Sequence, residues 1–255
     1  MKLTVYESAD EFLKDNKNFI IHNSLQADLI YGNAHSSLNK EQGFFGASVK
    51  NGSEIMLSSQ IGDFPRVHFS NCISPKEMAD TLAQNYVGTN NIPQQVNGDK
   101  KTVKAIVKAM ESHSVKYELH SELYKRKCSK LTDIETLPLK IVNAQNLDFD
   151  FKEFYYSFCT ECNLPADKNT ISEKAAKLKS SGNLYALVDN GTVVTVAASN
   201  RKAEHGRAIN LVYTPSKYRR KGYSTCCVKQ LTELILKDND YAFLYADKHN
   251  PISNH

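Results

Sequence analysis

The residues with the clearest chemical purpose run from Tyr213 to Thr225 and read Tyr-Thr-Pro-Ser-Lys-Tyr-Arg-Arg-Lys-Gly-Tyr-Ser-Thr. The apolar stretch AINLVYTP before them predicts a strand closed by Pro215. The stretch after them, GYSTCCVKQLTELILKDN, spaces Cys227, Leu231, Leu234 and Ile235 as one face of a long amphipathic helix. The first-turn N–H groups of a helix have no internal partners and converge on an anion. Gly222 permits backbone conformations, and a close approach by a phosphate, that a side chain would block. Helices usually carry Asp or Glu in the first turn to complement their dipole, but this one has none before Glu233. Lys217, Arg219, Arg220 and Lys221 crowd into five positions, and the last three add positive charge at the rim. The segment suits a diphosphate.

Other chemistry is poorly represented. No Gly-Lys-Ser/Thr is present, which excludes a nucleotide-hydrolysing P-loop, and no G-x-G-x-x-G follows a strand. Cys159 and Cys162 form a C-x-x-C inside the apolar-periodic segment FKEFYYSFCTEC, where packing is the expected role. Cys226 and Cys227 are expected to pack in the same way. The 8 histidines are scattered without an H-x-x-x-H pair, and no metal is expected. Residues 1–137 are charge-neutral, and the whole net charge of +4 falls in residues 138–255. A neutral first half without a basic aromatic stripe argues against nucleic acid as a partner. No apolar run is long enough to span a bilayer, and the first residues lack the apolar core of a signal peptide. No membrane association is expected, and the location expected is cytoplasmic.

These residues need elements to hold them. In the second half a strand (LKIVN) leads to the helix FDFKEFYYSFCTECN and then the helix ISEKAAKLKSSG. The strands NLYALVD and VVTVAASN flank Asn190-Gly191, a strong hairpin signal. The strand before the basic loop, the long helix and the strand YAFLYAD complete the order. In the first half, residues 8–37 read as two helices and GFFGASVKNG and EIMLSSQIG as strands. SPKEMADTLAQNYVG and NGDKKTVKAIVKAMES read as helices, and YELHSELYKR as a strand. KLTDIETLPLK, ending in a Pro-containing run, reads as a linker. The expected fold class is α/β with a mixed, mostly antiparallel sheet, divided into an α/β domain over 1–137 and a second domain over 138–255.

Arg219-Arg220-Lys221-Gly222-Tyr223-Ser224 at the strand-to-helix turn resembles the acetyl-CoA motif of the GNAT superfamily, Arg/Gln-x-x-Gly-x-Gly/Ala. Ser224 departs from the last position. Asn250-Pro251-Ile252-Ser253-Asn254 resembles the segment that follows the family's next strand. The resemblance implies the GNAT acyl-CoA N-acyltransferase fold over 138–255. It also implies an N-acetyltransferase that passes the acetyl group of acetyl-CoA to an amine acceptor by direct attack. On the same basis Leu211, Val212, Tyr213 and Thr214 lie along the donor's arm, with Asn210 beside the thioester. Arg219, Arg220, Lys221, Gly222, Tyr223, Ser224 and Thr225 hold its diphosphate, and Asn250 and Ser253 contact it further on. Glu204 and His205 are the nearest residues able to take a proton, but they fall in a predicted hairpin turn, so no catalytic acid or base is assigned. The first half faintly resembles a degenerate GNAT copy, as in tandem members, and Gly88 to Pro93 and Gly62 to Pro65 read as ordinary turns. The family's later helix and strands would follow residue 250, so an incomplete domain with YAFLYAD as an open edge is expected, unless another chain or the first half covers it. The alternative function is an acyl-CoA-binding regulatory module without transferase activity.

Overall fold

Met56 and Leu57 are chain neighbours, both buried, and they belong to different cores. That is the period-2 alternation of a strand with both faces covered, and it organises the molecule throughout. The computed structural model describes residues 1–38, 43–62, 66–164 and 166–250, with the side chains of residues 168 and 169 left aside.

The chain divides into two compact units, residues 1–121 with 202–205, and residues 122–201 with 206–255. The first unit runs β1 (Lys2–Tyr6), α1 (Ala9–Asp15), α2 (Lys17–His22), α3 (Asp28–Ser37), β2 (Phe44–Asn51), β3 (Glu54–Ile61) and β4 (Arg66–Phe69). It continues with α4 (Pro75–Gly88), β5 (Gln95–Asn97) and α5 (Lys100–Glu111). Its sheet has the order β1-β2-β3-β4-β5, antiparallel except for the parallel pair β4/β5. Phe12, Ile20, Ile30 and Ala34 from α1–α3 pack with Phe44 and Leu57 in one core. Met78, Leu82 and Tyr86 of α4 and Ile106 and Met110 of α5 pack with Val49, Met56 and Val67 in the other.

The second unit starts with β6 (Leu123–Cys128) and β7 (Ile141–Asn143), then α6 (Phe151–Glu161), α7 (Lys168–Ser180), β8 (Leu184–Asp189) and β9 (Thr192–Lys202). β10 (Gly206–Tyr213), α8 (Tyr223–Ile235) and β11 (Tyr241–Asp247) follow. Its sheet order is β6-β11-β10-β9-β8-β7, with β10/β11 parallel. From β7 to β11 the strand order repeats that of β1 to β5, including the parallel last pair. Two helices follow the first strand here where three do in the first unit, and one helix precedes the last strand in both.

The differences from the sequence reading have identifiable causes, some local and some in distant pairing. Residues 8–37 form three short helices rather than two. Asn16 closes α1, where its backbone N–H bonds to Phe12 O, and it also stands at the N-cap of α2. β1 and β4 are short strands held by their neighbours. The expected strand from Tyr117 forms only from Leu123, and it pairs antiparallel with β11 from Ala242–Cys128 to Asp247–Leu123. Residues 123–128 therefore cover the edge of YAFLYAD. By compactness the chain divides at 121/122, since β6 pairs with β11 and Leu137 and Leu139 pack with α8.

Gln230 of α8 makes that attachment. Its Nε2 donates to Leu139 O at 2.8 Å, and its Oε1 accepts from Ile141 N at 3.1 Å. Gln230→Ala leaves Ile141 N without a partner and Leu139 O with only the Cys226 thiol at 3.8 Å, so it should lower stability by about 1–3 kcal/mol. Gln230→Glu keeps an acceptor for Ile141 N and should cost less. Urea midpoints at constant m-value read the difference, and an unchanged midpoint in Gln230→Ala contradicts the attachment.

Candidate functional site

β10 leaves its partner early. The β10/β11 ladder consists of Gly206–Tyr241, Arg207–Ala242 and Ala208–Phe243, although both strands continue, to Tyr213 and to Asp247. Beyond Ala208 the two facing edges are not paired with each other. Leu211 has a φ of 51°, a left-handed value inside a strand. Ile209 and Val212 pack on the α8 side while Leu211 and Tyr213 pack on the opposite side. Three positions separate two residues on one face, so the strand carries one extra residue there, as in a bulge.

The end of β10 is pinned from both sides. Thr195 Oγ1 donates to Tyr213 O at 2.9 Å and lies 2.7 Å from Thr214 Oγ1. The Tyr213 hydroxyl donates to Glu161 Oε1 at 3.1 Å, and Arg219 Nη2 reaches both oxygens of Glu161 at 2.8 and 2.6 Å. Arg219 Nε also donates to Thr214 O at 2.8 Å. Burial, with the hydrogen bond to Glu161, raises the Tyr213 pKa, and Arg219 partly offsets this. Of the three cations expected at the rim, Arg219 is thus committed to Glu161, while Arg220 and Lys221 are exposed.

A short 3-10 turn, Ser216–Tyr218, then leads to Arg220 (φ 60°) and Gly222 (φ 78°). Gly222 is the N-cap of α8, supplies no side-chain cap, and is followed by a first turn without an acidic residue. Ser224 and Thr225 are exposed, and Cys226 N is the first amide to bond back, to Gly222 O at 3.0 Å. The amides of Tyr223, Ser224 and Thr225 therefore point out of the helix end unanswered by helix carbonyls. Tyr223 itself is buried, with its hydroxyl donating to Asp189 at the β8–β9 hairpin. That bond, with the carboxylate behind it, raises the Tyr223 pKa and anchors the helix end to the sheet.

The first unit has the corresponding strand, turn and helix, and there the features are closed. Pro75 has no N–H at the first position of α4, and Glu77 lies in its first turn. Glu54 Oε2 accepts from Ser74 N at 3.0 Å and from the Cys72 thiol at 3.5 Å. Burial and this carboxylate push the Cys72 pKa up to about 11. At the end of the β4/β5 ladder, a Cβ on Gly98 would stand 2.8 Å from Phe69 O, so the backbones stay in contact.

The remaining sequence-based candidates divide clearly. The Asn250 backbone N–H donates to Asp247 O at 3.1 Å, whereas Ser253 and the rest of Asn-Pro-Ile-Ser-Asn beyond Asn250 lie outside the described residues. Asp63 to Pro65 of the expected turn also lie outside them. Glu204 and His205 do sit in the β9–β10 turn, but this turn belongs to the first unit, where His205 N donates to Ser24 Oγ at 3.0 Å. Glu204 lines a shallow hollow of about 350 Å³ with Asp10, Lys14, Lys17 and the apolar Leu13 and Ile20. Cys159, Cys226 and Cys227 are buried, and burial pushes Cys227 up to about 12, so it stays a protonated packing residue. Among the described residues no three His, Cys, Asp or Glu side chains gather as a metal site would need. No described helix is long and apolar enough to cross a membrane. Sequence reasoning missed Glu161 and Asp189. Neither has a local signal, since each meets its partner across more than thirty positions of chain.

Solved structures of similar shape share this architecture. An acetyltransferase of the GNAT family from Colwellia psychrerythraea is 11% identical, with 100% of this chain and 92% of that one covered and a TM-score of 0.53. A GCN5-related N-acetyltransferase from Sphaerobacter thermophilus is 10% identical, with 98% and 88% covered and a TM-score of 0.55. A Drosophila protein is 12% identical, with 99% and 91% covered and a TM-score of 0.54. No family model matches the chain, and no curated protein matches it in sequence. The likeness is one of fold, and the chain has the GNAT acetyltransferase fold.

The left-handed backbone at Gly222 sets a stability expectation that needs no ligand. A Cβ there meets nothing nearer than the Leu137 side chain at 3.9 Å, so the penalty is conformational rather than steric. Gly222→Val should cost about 1–2 kcal/mol. Arg219→Ala, which removes an ion pair more than a third exposed on both sides, should cost less than about 1 kcal/mol. Thermal or urea unfolding of the two variants gives the order, and a larger loss for Arg219→Ala contradicts it.

Proposed function

We propose that this protein is an acetyl-CoA-dependent N-acetyltransferase whose donor site lies in the second unit, at the divergence of β10 and β11 and the N-terminus of α8. The observation that carries the reading is the contrast between two units of like topology. One helix N-terminus starts on a proline, carries a glutamate in its first turn, and has its Ser74 N–H answered by Glu54 of β3. The other is left open, by a left-handed glycine and an acid-free first turn, beside a strand with a free edge.

In this reading the amides of Tyr223, Ser224 and Thr225 receive the donor's diphosphate, with Arg220 and Lys221 adding charge at the rim. Arg219 shapes the loop through Glu161 and Thr214. Leu211, Val212, Tyr213 and Thr214 offer strand-edge backbone groups to the donor's arm, and Asn250 contacts it from the following segment, with Ser253, outside the described residues, added on the resemblance alone. The free edge near Leu211 polarises the thioester carbonyl. An acceptor amine held against it attacks the carbonyl carbon, the C–S bond breaks, the nitrogen gives up one proton and the departing thiolate takes one. Much of the rate enhancement is then positioning, which a pinned strand supplies. A cytoplasmic location belongs to the same proposal.

Calorimetry with coenzyme A should give one site per chain, not two. Gly222→Val should weaken binding at least tenfold, and Arg220→Ala should weaken it less and more so at low salt. Equal affinity in wild type and Gly222→Val overturns the site. Turnover of acetyl-CoA with a panel of primary amines separates the enzyme from its alternative: tight binding with no transfer to any amine identifies an acyl-CoA-binding regulatory module.

A further inference from the structure

β6 ends its sheet on the side away from β7, and among the described residues no strand pairs with its outer edge. Glu122 O accepts from Lys248 N at 3.0 Å, one step past the last rung of the β6/β11 ladder, Asp247–Leu123. In an antiparallel pair such bonded residues alternate with residues whose backbone faces outward. Residues 122, 124, 126 and 128 therefore turn to β11, while Leu123, Lys125 and Lys127 turn their N–H and C=O groups to the edge. From Leu123 to Thr132 the sequence has four cations, Lys125, Arg126, Lys127 and Lys130, and no acid. The nearest acid, Glu122, is held by Lys248 Nζ at 3.0 Å. A charged side chain projecting past an edge is a common guard against pairing, but these cations do not project. Lys125 Nζ lies 5.0 Å over the Tyr245 ring and Lys127 Nζ 4.7 Å over that of Tyr241, and both rings belong to β11. Those heads are folded back over the sheet on one face. On the other face Arg126 lies 4.8 Å over Tyr124 of its own strand. The edge thus keeps its backbone accessible, with positive charge on both faces.

We propose that the outer edge of β6 is a docking site for an acidic, extended peptide segment of a partner protein, which adds to the sheet as a further strand. The inference is independent of the donor site proposed above. Backbone pairing answers the outward groups of Leu123, Lys125 and Lys127. Alternate carboxylates of the segment fall beside Lys125 and Lys127 on one face and beside Arg126 on the other, where opposite charges on neighbouring strands attract. A cation over a partly exposed ring is held weakly enough to turn to a carboxylate. Charge argues against a second copy of this chain as the occupant, because pairing β6 with itself sets cations against cations. The rings argue against a single-stranded nucleic acid, which stacks its bases on open aromatic faces. Tyr124, Tyr241 and Tyr245 each carry a cation already, and Arg201 of β9 also lies 5.0 Å over Tyr245.

Three fluorescent probes are titrated into the full chain and read by anisotropy. The first is a peptide of about ten residues repeating Glu-Glu-Thr, which places acids on both faces of a strand. The second is the same peptide methylated at the backbone nitrogens of its central residues, with its charge kept and its strand pairing blocked. The third is an oligothymidylate of like length. Wild type should bind the first peptide about tenfold more tightly than the methylated one. Lys125→Glu/Lys127→Glu should weaken the first peptide about tenfold at low salt. Lys125→Gln/Lys127→Gln keeps uncharged side chains of similar reach and should weaken it about threefold, which covers the case in which charge reversal unfolds β6. Equal affinity for the parent and methylated peptides overturns the proposal, because charge alone then accounts for binding. So does an affinity unchanged in both double variants, or no binding of the first peptide to wild type. Tighter binding of the oligothymidylate than of the first peptide assigns the surface to nucleic acid and overturns it as well.

Discussion

Two parallel strands that pair for three rungs and then part impose the constraint on which the second unit depends. A strand edge displays N–H and C=O groups that must be answered by another strand, by water or by a ligand. β11 solves half of the problem by taking β6 on its far side, from Ala242 to Asp247. Between Ile209 and Tyr213, β10 faces no part of β11, and the bulge at Leu211 turns one more residue to the face away from α8. What keeps this open geometry from collapsing is side-chain bonding at the end of the strand. Thr195 holds the Tyr213 carbonyl, and Glu161 gathers the Tyr213 hydroxyl and the Arg219 guanidinium. Asp189 fixes Tyr223 at the start of α8.

The two units show how one topology becomes either a site or a scaffold. Both place a helix after the fourth strand of a five-strand order, and so both create an electropositive helix end beside a parallel pair. In the first unit Glu54, Pro75 and Glu77 neutralise or remove the amides, and Gly98 brings the strands into contact at the end of their ladder. In the second unit Gly222 and an acid-free first turn leave the helix end open, and the nearby Asp189 takes the Tyr223 hydroxyl. The difference lies in a handful of residues, while the cores beneath are equally closed, with Met78, Leu82 and Tyr86 matched by Cys226, Cys227 and Leu231.

Much of this was legible in the chain itself, and the rest follows a physical pattern. The long helices and the Asn190-Gly191 hairpin were readable because periodicity and turn chemistry are local signals. The Gly222 loop was readable for the same reason. β1 and β4, of five and four residues, have too few positions to show alternation and are stable only as members of a sheet. The placement of β6 beside β11 depends on a pairing more than a hundred residues apart in the chain, which no local pattern encodes. The same applies to Glu161. Its charge is visible in the sequence, but its role in removing Arg219 from the rim is set by the packing of α6 against the end of β10.

The central claim is that the second unit alone presents an open, ligand-receiving strand edge and helix end. Amide hydrogen exchange with and without coenzyme A tests it directly, because it reports the affected backbone groups one segment at a time. The account predicts added protection over Ile209–Thr214 and Gly222–Cys226, with none over the corresponding turn of the first unit, Ser70 to Glu77. Protection at Ser70 to Glu77, or no change at Gly222–Cys226 under saturating coenzyme A, would contradict it.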